Sequence, residues 1–492
     1  MPRMLKRIVV STCKGLFFSA CGAFFLVSSS YSQPNSTTGS TSSSSSSTPP
    51  TQQSQPANNA ELEWVRENWM AILPIFAFSG ASITYLVILW RRPLWLLYLP
   101  ARFTIPSTQI TLTPGIVLWL KYRPRVLDAW VDVRIEQALA EFESRTTVEE
   151  RLIHISLPVS VDRGTKPQLT AEDLQIFCKR QLFRLVIVGE GGIGKTSLAC
   201  QIAKWSMSDE QEGRICAHRM IPVLIEEELE GTLLDAITLQ IRNLRNDEKP
   251  VSEELLTQLL EKRRVLVIVD HLSEMSEETR KAVRYKDPKS PVNALIVTSR
   301  LEDILGREVT QTTLKPQRVS GKQLSIFMDD YLKAKEHREL FEDEDYFDAL
   351  RRLSQLVTEE KEITVLLARL YADQMISVVQ DQFINDLPTN IPDLILSYLN
   401  ELNRNVQDDR LDDTSVQQNA KVAAWECLRN TFKPETANRK QVIEQLLLCQ
   451  ESSNSDQKKA RNALDYLEKP LSLVRTIAPA KTRVRFTLDP LA

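Results

Sequence analysis

The sequence predicts an α/β fold, a parallel sheet with helices on both faces. Short apolar segments recur, helical patterns separate them, and a glycine-rich loop joins the first strand to the first helix. Strands that alternate with helices form parallel sheets, and ligands bind at the carboxyl ends of their strands. The predicted strands are Leu185–Val188, Met220–Ile225, Arg264–Val269 and Asn293–Thr298, and the predicted helices are Ser197–Trp205, Leu233–Leu244 and Glu253–Lys262.

The glycine-rich loop has the spacing of a phosphate-binding loop. Gly189 is followed after four residues by Gly194, Lys195 and Thr196, the pattern GxxxxGK[ST]. Only fourteen glycines occur in the chain, and four of them lie in this loop, which argues against a chance turn before Lys-Thr. Backbone N–H groups and the positive end of the following helix attract an anion there. The predicted phosphate-binding residues are Gly189, Glu190, Gly191, Gly192, Ile193, Gly194, Lys195, Thr196 and Ser197.

Within this loop, we expect Lys195 to reach the β- and γ-phosphates and the Thr196 hydroxyl to bind Mg²⁺. Asp270 ends an apolar strand, where the acidic residue that holds Mg²⁺ is expected; the alternative is a helix N-cap. Glu274 is a candidate to orient or deprotonate the attacking water, or is a solvated acid. Arg300 ends the next strand and either contacts the γ-phosphate or pairs with a neighbouring acid.

The segments GEGGIGKTSL, VLVIVDHLSE and ALIVTSR, in this order, resemble the NACHT-type NTPases of the STAND class of signalling ATPases. The resemblance covers about residues 180–310 and implies ATP or ADP as ligand with Mg²⁺. It implies that Asp270 is the acidic residue that binds Mg²⁺. Glu274 takes the place of the last acidic residue of the second motif, and Arg300 takes the sensor position. His271 replaces the usual Gly and Ser273 the usual second Asp, departures that concern hydrolysis and leave ATP binding intact.

The resemblance continues more weakly beyond the NTPase domain, predicted at 181–312. Residues 313–400 are expected to form a helical lid, but Ile363–Tyr371 lacks the family's Gly-x-Pro-Leu turn, so no adenine contact is assigned there. Residues 401–492 are predicted to be a helical and partial winged-helix region that is cut short, with its hairpin at Val474–Ile477 and Val484–Ala492. The predicted core residues of this region are Trp425, Leu428, Leu446, Leu447 and Leu448.

The N-terminal quarter predicts a membrane protein. Residues 1–32 have basic residues before a short apolar run and form either a signal peptide or a first membrane helix. Residues 33–60 are a Ser/Thr/Pro-rich linker, predicted to be disordered. Residues 69–90 are uncharged and long enough to span a bilayer, and the Arg91-Arg92 pair that follows predicts a cytoplasmic NTPase domain with the linker outside.

Residues 101–180 are predicted to be a juxtamembrane arm that either links membrane to NTPase or binds a partner. Val126–Phe142 fits one amphipathic helix and Ile153–Leu157 a short strand.

Composition narrows the functional classes further. The net charge is −3 and no basic stripe occurs, so nucleic-acid binding is not expected. The seven Cys show no CxxC spacing, and we predict reduced core or membrane thiols without a disulfide or a zinc site.

The predicted function is a membrane-anchored, slowly hydrolysing ATP/ADP switch that controls signalling, with homo-oligomerisation on activation and an unknown protein partner. The alternatives are a ring-shaped remodelling motor, a transporter-type ATPase subunit and a non-catalytic scaffold stabilised by nucleotide. Val319–Gln323 faintly resembles a transporter signature, but it follows Asp270 instead of preceding it.

Overall fold

A seven-stranded sheet positions every candidate site residue in the computed structural model. All described residues belong to one compact unit, Leu73–Ala492. The structure describes residues 79–99, 103–104, 111–112, 114–162, 164–244, 251–284, 291–306, 309–358, 362–380, 387–388, 390–407, 409–432, 435–449, 457–477 and 482–487. The predicted segments 1–32 and 33–60 and the first part of the predicted span, 69–78, lie outside these ranges.

The regular elements are numbered in chain order over the described residues. The helices are α1 Pro114–Lys121, α2 Pro124–Asp132, α3 Ile135–Glu143, α4 Thr146–Glu149, α5 Ala171–Cys178, α6 Lys195–Met207, α7 Leu233–Asn243, α8 Glu253–Glu261, α9 Glu277–Val283, α10 Gly321–Ala334, α11 Asp343–Thr358, α12 Val365–Gln380, α13 Ile391–Arg404, α14 Asp413–Leu428, α15 Arg439–Cys449 and α16 Gln457–Glu468. The strands are β1 Phe103–Thr104, β2 Thr111–Leu112, β3 Val159–Val161, β4 Gly164–Lys166, β5 Phe183–Val188, β6 Ile221–Ile225, β7 Val265–Val269, β8 Ala294–Ser299, β9 Thr312–Pro316, β10 Val319–Ser320, β11 Glu362–Ile363, β12 Ala437–Asn438, β13 Val474–Ile477 and β14 Arg483–Phe486.

The large sheet has the order β4-β3-β9-β5-β8-β7-β6. Strands β9, β5, β8, β7 and β6 run parallel, as the sequence predicts, and β3 and β4 add an antiparallel edge beside β9. Every residue of β5, β6, β7 and β8 is buried. This continuous burial explains why these strands are apolar runs instead of alternating patterns.

Part of the predicted arm packs into the core of the sheet. The single helix predicted for Val126–Phe142 is wrong, because α2 ends at Asp132 and α3 begins at Ile135. Buried side chains of both helices join the same apolar cluster as the sheet. Arg264, at the start of β7, donates from Nη2 to Oδ1 of Asp128 on α2 at 2.7 Å, which ties the arm to the sheet.

The strand predicted for Ile153–Leu157 is also wrong. Pairing into the seven-stranded sheet begins at β3, and the segment before it runs past the phosphate loop, where Nδ1 of His154 lies 3.3 Å from Oγ of Ser197. The alternating apolar residues of this segment therefore line a cavity, and the segment does not pair with a strand.

A second apolar cluster holds the C-terminal helices and a small sheet of order β12-β14-β13. The hairpin predicted at Val474–Ile477 and Val484–Ala492 is present as the antiparallel pair β13–β14, and residues 488–492 of this prediction lie outside the described ranges. Leu446 is fully buried, as predicted, but Trp425 and Leu448 are 55% and 70% exposed. Those two predictions are wrong because the residues lie on outward faces of α14 and α15.

The prediction that all cysteines are reduced is wrong for one pair. Cys178, at the end of α5, forms a disulfide with Cys216, which precedes β6. The two residues are 38 positions apart and the fold brings them together, so local spacing contains no sign of the pairing.

No helix among the described residues is long and apolar enough to cross a membrane. Of the predicted span, the described part is helical from 79 to 91, and a short 3₁₀ helix follows at Pro93–Tyr98.

We expect Asp128→Ala to lower the free energy of unfolding by about 1–3 kcal/mol, because it leaves the buried Arg264 guanidinium without this carboxylate. Glu136→Ala, an exposed change on α3, should alter stability by less than about 0.5 kcal/mol. Denaturant unfolding of the purified chain measures the free energy of unfolding of both variants. Equal effects would mean that the Asp128–Arg264 contact does not stabilise the packing of the arm on the sheet.

Candidate nucleotide-binding site

The phosphate-binding loop lies between β5 and α6, at the carboxyl end of a central strand. Gly192 and Gly194 have φ of 74° and 97°, the left-handed region that glycine adopts without strain. A Cβ at Gly189 would lie 2.8 Å from Cγ2 of Ile193, so the close turn also needs glycine there. Helix α6 begins at Lys195, and its N-terminus therefore faces the loop, as anion binding requires.

Lys195 and Thr196 are both buried at the start of α6. Nζ of Lys195 donates to the carbonyl oxygen of Glu190 at 2.7 Å, which folds the side chain back over the loop. Oγ1 of Thr196 lies 2.9 Å from Oδ2 of Asp270. The predicted Mg²⁺-binding pair is therefore adjacent.

Asp270 is wholly buried at the end of β7. It accepts hydrogen bonds from the hydroxyls of Thr196 and Thr298, and the Thr298 hydroxyl in turn accepts from the backbone N–H of His271 at 2.8 Å. Burial opposes ionisation, but the charge and hydrogen bond of His271 and the two hydroxyls hold the pKa of Asp270 well below its usual range. The carboxylate is thus ionised and aimed at the loop.

His271 occupies the position where the resembled family usually has Gly. Its φ of 54° is left-handed, a conformation that costs a non-glycine residue energy, which is a physical reason for Gly at this place. Nε2 lies 3.0 Å from Oδ2 of Asp270 and Nδ1 lies 3.6 Å from Oε1 of Glu274. Burial disfavours the imidazolium, but the carboxylate of Asp270 and then that of Glu274 raise the pKa of His271 to about 9.

Glu274 is held between two arginines. Its Oε1 lies 3.3 Å from Nε of Arg300, and its Oε2 accepts a hydrogen bond from Nη1 of Arg485 on β14 at 3.0 Å. Burial disfavours the carboxylate, yet His271 and the charges of Arg485 and Arg300 lower the pKa of Glu274 well below its ordinary value. Ser273 accepts a hydrogen bond from the backbone N–H of Arg300 at 2.9 Å, so it positions the strand end instead of supplying a second acid.

A cavity of about 490 Å³ opens beside the loop. Its size is within the range of small-molecule and cofactor pockets. Its lining includes Gly191–Leu198, Ile153–Leu157 and Leu471–Leu473, together with Val365, Leu366 and Leu402, and also the charged residues Glu150, Arg151, Arg369 and Asp373. One side is thus the phosphate loop, and the rest combines apolar side chains with a few charged ones, an arrangement that suits a phosphate group attached to a flat base.

The residues fit a nucleotide and Mg²⁺. Gly192 and Gly194 give the loop its left-handed turns, and the hydroxyl of Thr196 beside the ionised Asp270 offers the oxygen ligands that Mg²⁺ prefers. All the predicted site residues lie on one edge of the sheet, since Lys195, Thr196, Asp270, Glu274 and Arg300 follow the carboxyl ends of β5, β7 and β8.

Sequence reasoning missed several residues at this site. The backbone N–H of Leu366 donates to the carbonyl oxygen of Gly192 at 3.0 Å, and Nη2 of Arg318 donates to Oε2 of Glu190 at 2.6 Å. The only advance signal for Leu366 was its position where the resembled family places a lid turn. His154 and Arg485 carried no signal, because each reaches the site from a distant segment.

Comparison with known proteins supports this assignment for the central part of the chain. Residues 170–324 match the NB-ARC domain. The NB-ARC domain is a nucleotide-binding module of the STAND class of signalling ATPases, so the match supports that class and the binding of nucleotide. It begins before β5 and ends within α10.

The other comparisons add little. No curated protein matches this chain. Among solved structures, a chain from "Structure of Drosophila ORC bound to DNA" matches with 17% identity over 65% of this chain and 82% of that chain, at a TM-score of 0.28. A TM-score this low carries no argument about fold or function.

We expect the stabilising contribution of His154 to depend on pH. Burial, together with the charge of Lys204, lowers the pKa of His154 to about 4, below its unfolded value of 6.5. Stability from the neutral ring is therefore fully present above pH 6.5 and is lost as the pH falls through 4. Relative to His154→Gln, the wild type should lose about 1–3 kcal/mol between pH 7 and pH 4. Denaturant unfolding at both pH values measures this difference, and a constant difference would contradict it.

Proposed function

We propose that the chain is a membrane-anchored, ATP-binding molecular switch that hydrolyses ATP slowly and cycles between ADP and ATP states to control oligomerisation and signalling. The observation that carries the proposal is the phosphate loop whose Thr196 hydroxyl contacts the buried Asp270. The NB-ARC match over 170–324 supports a STAND-type nucleotide-binding switch. That the chain is of the NACHT type within this class is proposed from the series of three motifs.

The chain's own groups account for binding and for slow turnover. When bound, ATP with Mg²⁺ supplies the phosphoanhydride bond and the charge that stabilises its cleavage. Lys195 would balance the phosphate charge, and Asp270 and Thr196 would hold the metal. Glu274 is tied to Arg300 and Arg485, so its carboxylate is not available to orient a water while these ion pairs persist.

The C-terminal hairpin supplies the second half of the switch. Arg485 of β14 contacts Glu274, and Arg475 of β13 pairs with Glu227, a residue that follows β6. These pairs join the hairpin to the nucleotide-binding edge of the sheet across more than 200 positions of sequence. We propose that they stabilise a closed state, and that opening breaks them and frees Glu274.

Membrane anchoring is proposed from the sequence. The uncharged segment 69–90, followed by Arg91 and Arg92, supports a span with the NTPase domain in the cytoplasm and the Ser-rich linker outside. A first span or cleaved signal at 1–32 leaves that orientation unchanged.

The alternative functions are less well supported. A motor with rapid turnover needs an available catalytic carboxylate to orient or deprotonate water, whereas Glu274 is held in three ion pairs. A nucleotide-stabilised scaffold is favoured by one observation, the His271 contact with Asp270, because the imidazolium competes with Mg²⁺ for the carboxylate. A transporter subunit needs a substrate path, which a single predicted span does not supply.

We expect the purified chain to carry bound ADP or ATP and to turn over ATP more slowly than about 1 s⁻¹. Lys195→Ala removes the charge that faces the phosphates and should weaken nucleotide binding by on the order of 10–100-fold. Lys204→Ala on the same helix is the matched control and should bind normally. Nucleotide extraction and titration measure both; faster turnover would favour the motor, bound nucleotide without measurable turnover would favour the scaffold, and binding unaffected by Lys195→Ala would contradict the role of this lysine.

Arg485→Gln should accelerate ADP release by about tenfold, because it removes an ion pair worth about 1–1.5 kcal/mol that holds the hairpin closed. Arg483→Gln changes an exposed arginine of the same strand and should have no such effect. Release of a fluorescent ADP analogue provides the measurement. Equal release rates in the two variants would mean that this contact does not stabilise the closed state.

A further inference from the structure

The end of the predicted span and the residues that follow it present an apolar surface with aromatic side chains. Trp90, at the end of helix 79–91, is 72% exposed, and Trp119 on α1 is 57% exposed. Ile83, Leu86 and Val87 are exposed on helix 79–91, but they lie within the predicted span, where lipid would cover them. The span does not account for Trp119, Ile116 and Leu118, which are exposed on α1, and these large apolar side chains indicate an interaction surface.

Arginines bind these tryptophans together into one surface. The Arg123 guanidinium lies 3.6 Å from the centre of the Trp119 ring, and Nη2 of Arg125 donates to the carbonyl oxygen of Trp90 at 3.2 Å. The Tyr85 hydroxyl donates to the carbonyl oxygen of Leu120 at 3.0 Å. Helix 79–91, α1 and the start of α2 are therefore held in fixed relation, and we call Trp90, Trp119, Arg123 and Arg125 the aromatic–arginine surface.

This surface is also fixed to the nucleotide-binding domain. Leu94 and Leu97 of the 3₁₀ helix that follows Trp90 pack against the apolar cluster that contains the sheet, and Val126 and Leu127 of α2 are fully buried. A partner that binds the aromatic–arginine surface would consequently set the orientation of the whole domain.

The charge of this segment selects the kind of partner. From Ser79 to Leu127 the chain contains no Asp or Glu. The same stretch contains six basic residues: Arg91, Arg92, Arg102, Lys121, Arg123 and Arg125. A surface of tryptophan and arginine without acids complements anionic headgroups at a bilayer interface. Trp90 is the last residue of the uncharged segment 69–90, so the surface begins where the predicted span ends.

We propose that the aromatic–arginine surface docks on the headgroups of an anionic lipid bilayer and holds the nucleotide-binding domain against the membrane in one orientation. The proposal deepens the membrane anchoring proposed above and rests on it for the side of the bilayer that is contacted. The anchor supplies attachment, and the docking surface supplies orientation.

The test uses the full chain reconstituted into vesicles of phosphatidylcholine with phosphatidylglycerol. The photo-crosslinking amino acid benzoylphenylalanine replaces Trp119, and in a matched variant it replaces Phe432, which is 78% exposed in the C-terminal region. After illumination, lipid adducts are counted by mass spectrometry. We expect at least about fivefold more lipid adduct at 119 than at 432, and a clear decrease in vesicles of phosphatidylcholine alone.

Charge reversal provides the second arm. Arg123→Glu with Arg125→Glu should lower the adduct at 119 by about tenfold or more, since each basic residue near an anionic surface contributes about fivefold in binding. Lys458→Glu with Lys459→Glu, two exposed positions on α16, is the matched double reversal and should leave the adduct unchanged. ADP or ATP copurification with each variant reports that the domain is folded.

Carbonate extraction of the same vesicles separates anchoring from docking. A chain that resists extraction but gives no lipid adduct at 119 would retain the anchor and overturn the docking. A chain that is extracted yet gives the adduct would support docking and overturn the anchor. An adduct at 119 with a second protein chain instead of lipid, or equal lipid adducts at 119 and 432, would overturn the docking proposal.

Discussion

Asp270 ends β7 with its carboxylate wholly buried, and three neighbouring segments reach it: Thr196 from α6, Thr298 from β8, and His271 from the turn that follows. A buried carboxylate is unfavourable unless it is paired and hydrogen-bonded, so Asp270 can be buried here only because these contacts are made. They fix the end of β7 against the phosphate loop. The site is therefore organised from the interior of the sheet outward, and the more exposed groups, Glu274 and Arg300, take their places from that arrangement.

A second set of contacts joins distant parts of the chain to this edge. Arg485 reaches Glu274 from the C-terminal hairpin, and the backbone of Leu366 reaches Gly192 from the helical region. Each contact is modest in free energy, so together they suit a closed state that can open. Because Glu274 takes part in one of them, closure would also decide whether this carboxylate is available to orient or deprotonate water.

The parts that sequence reasoning predicted well are those with local signals. The phosphate loop has fixed spacing, and Asp270 follows a run of apolar residues. Both the strand–loop–helix unit and the parallel direction of the central strands were therefore predictable. The short strands β3 and β4, the break between α2 and α3, and the contacts of His154 and Arg485 were not, because each depends on segments far apart in sequence. Trp425 and Leu448 illustrate the same limit, since an apolar side chain does not reveal which face of its helix is covered.

The disulfide between Cys178 and Cys216 closes a covalent ring around β5, the phosphate loop and α6. In the chain-entropy description, closing a loop of 38 residues removes about 4 kcal/mol of conformational entropy from the unfolded chain. Such bonds persist in oxidising compartments, whereas the cytosol keeps thiols reduced. In the cytoplasmic orientation proposed above, Cys178 and Cys216 are therefore expected to be adjacent reduced thiols, and the ring would form only where the domain meets an oxidising compartment. The membrane topology of this protein thus also determines its covalent structure and its stability.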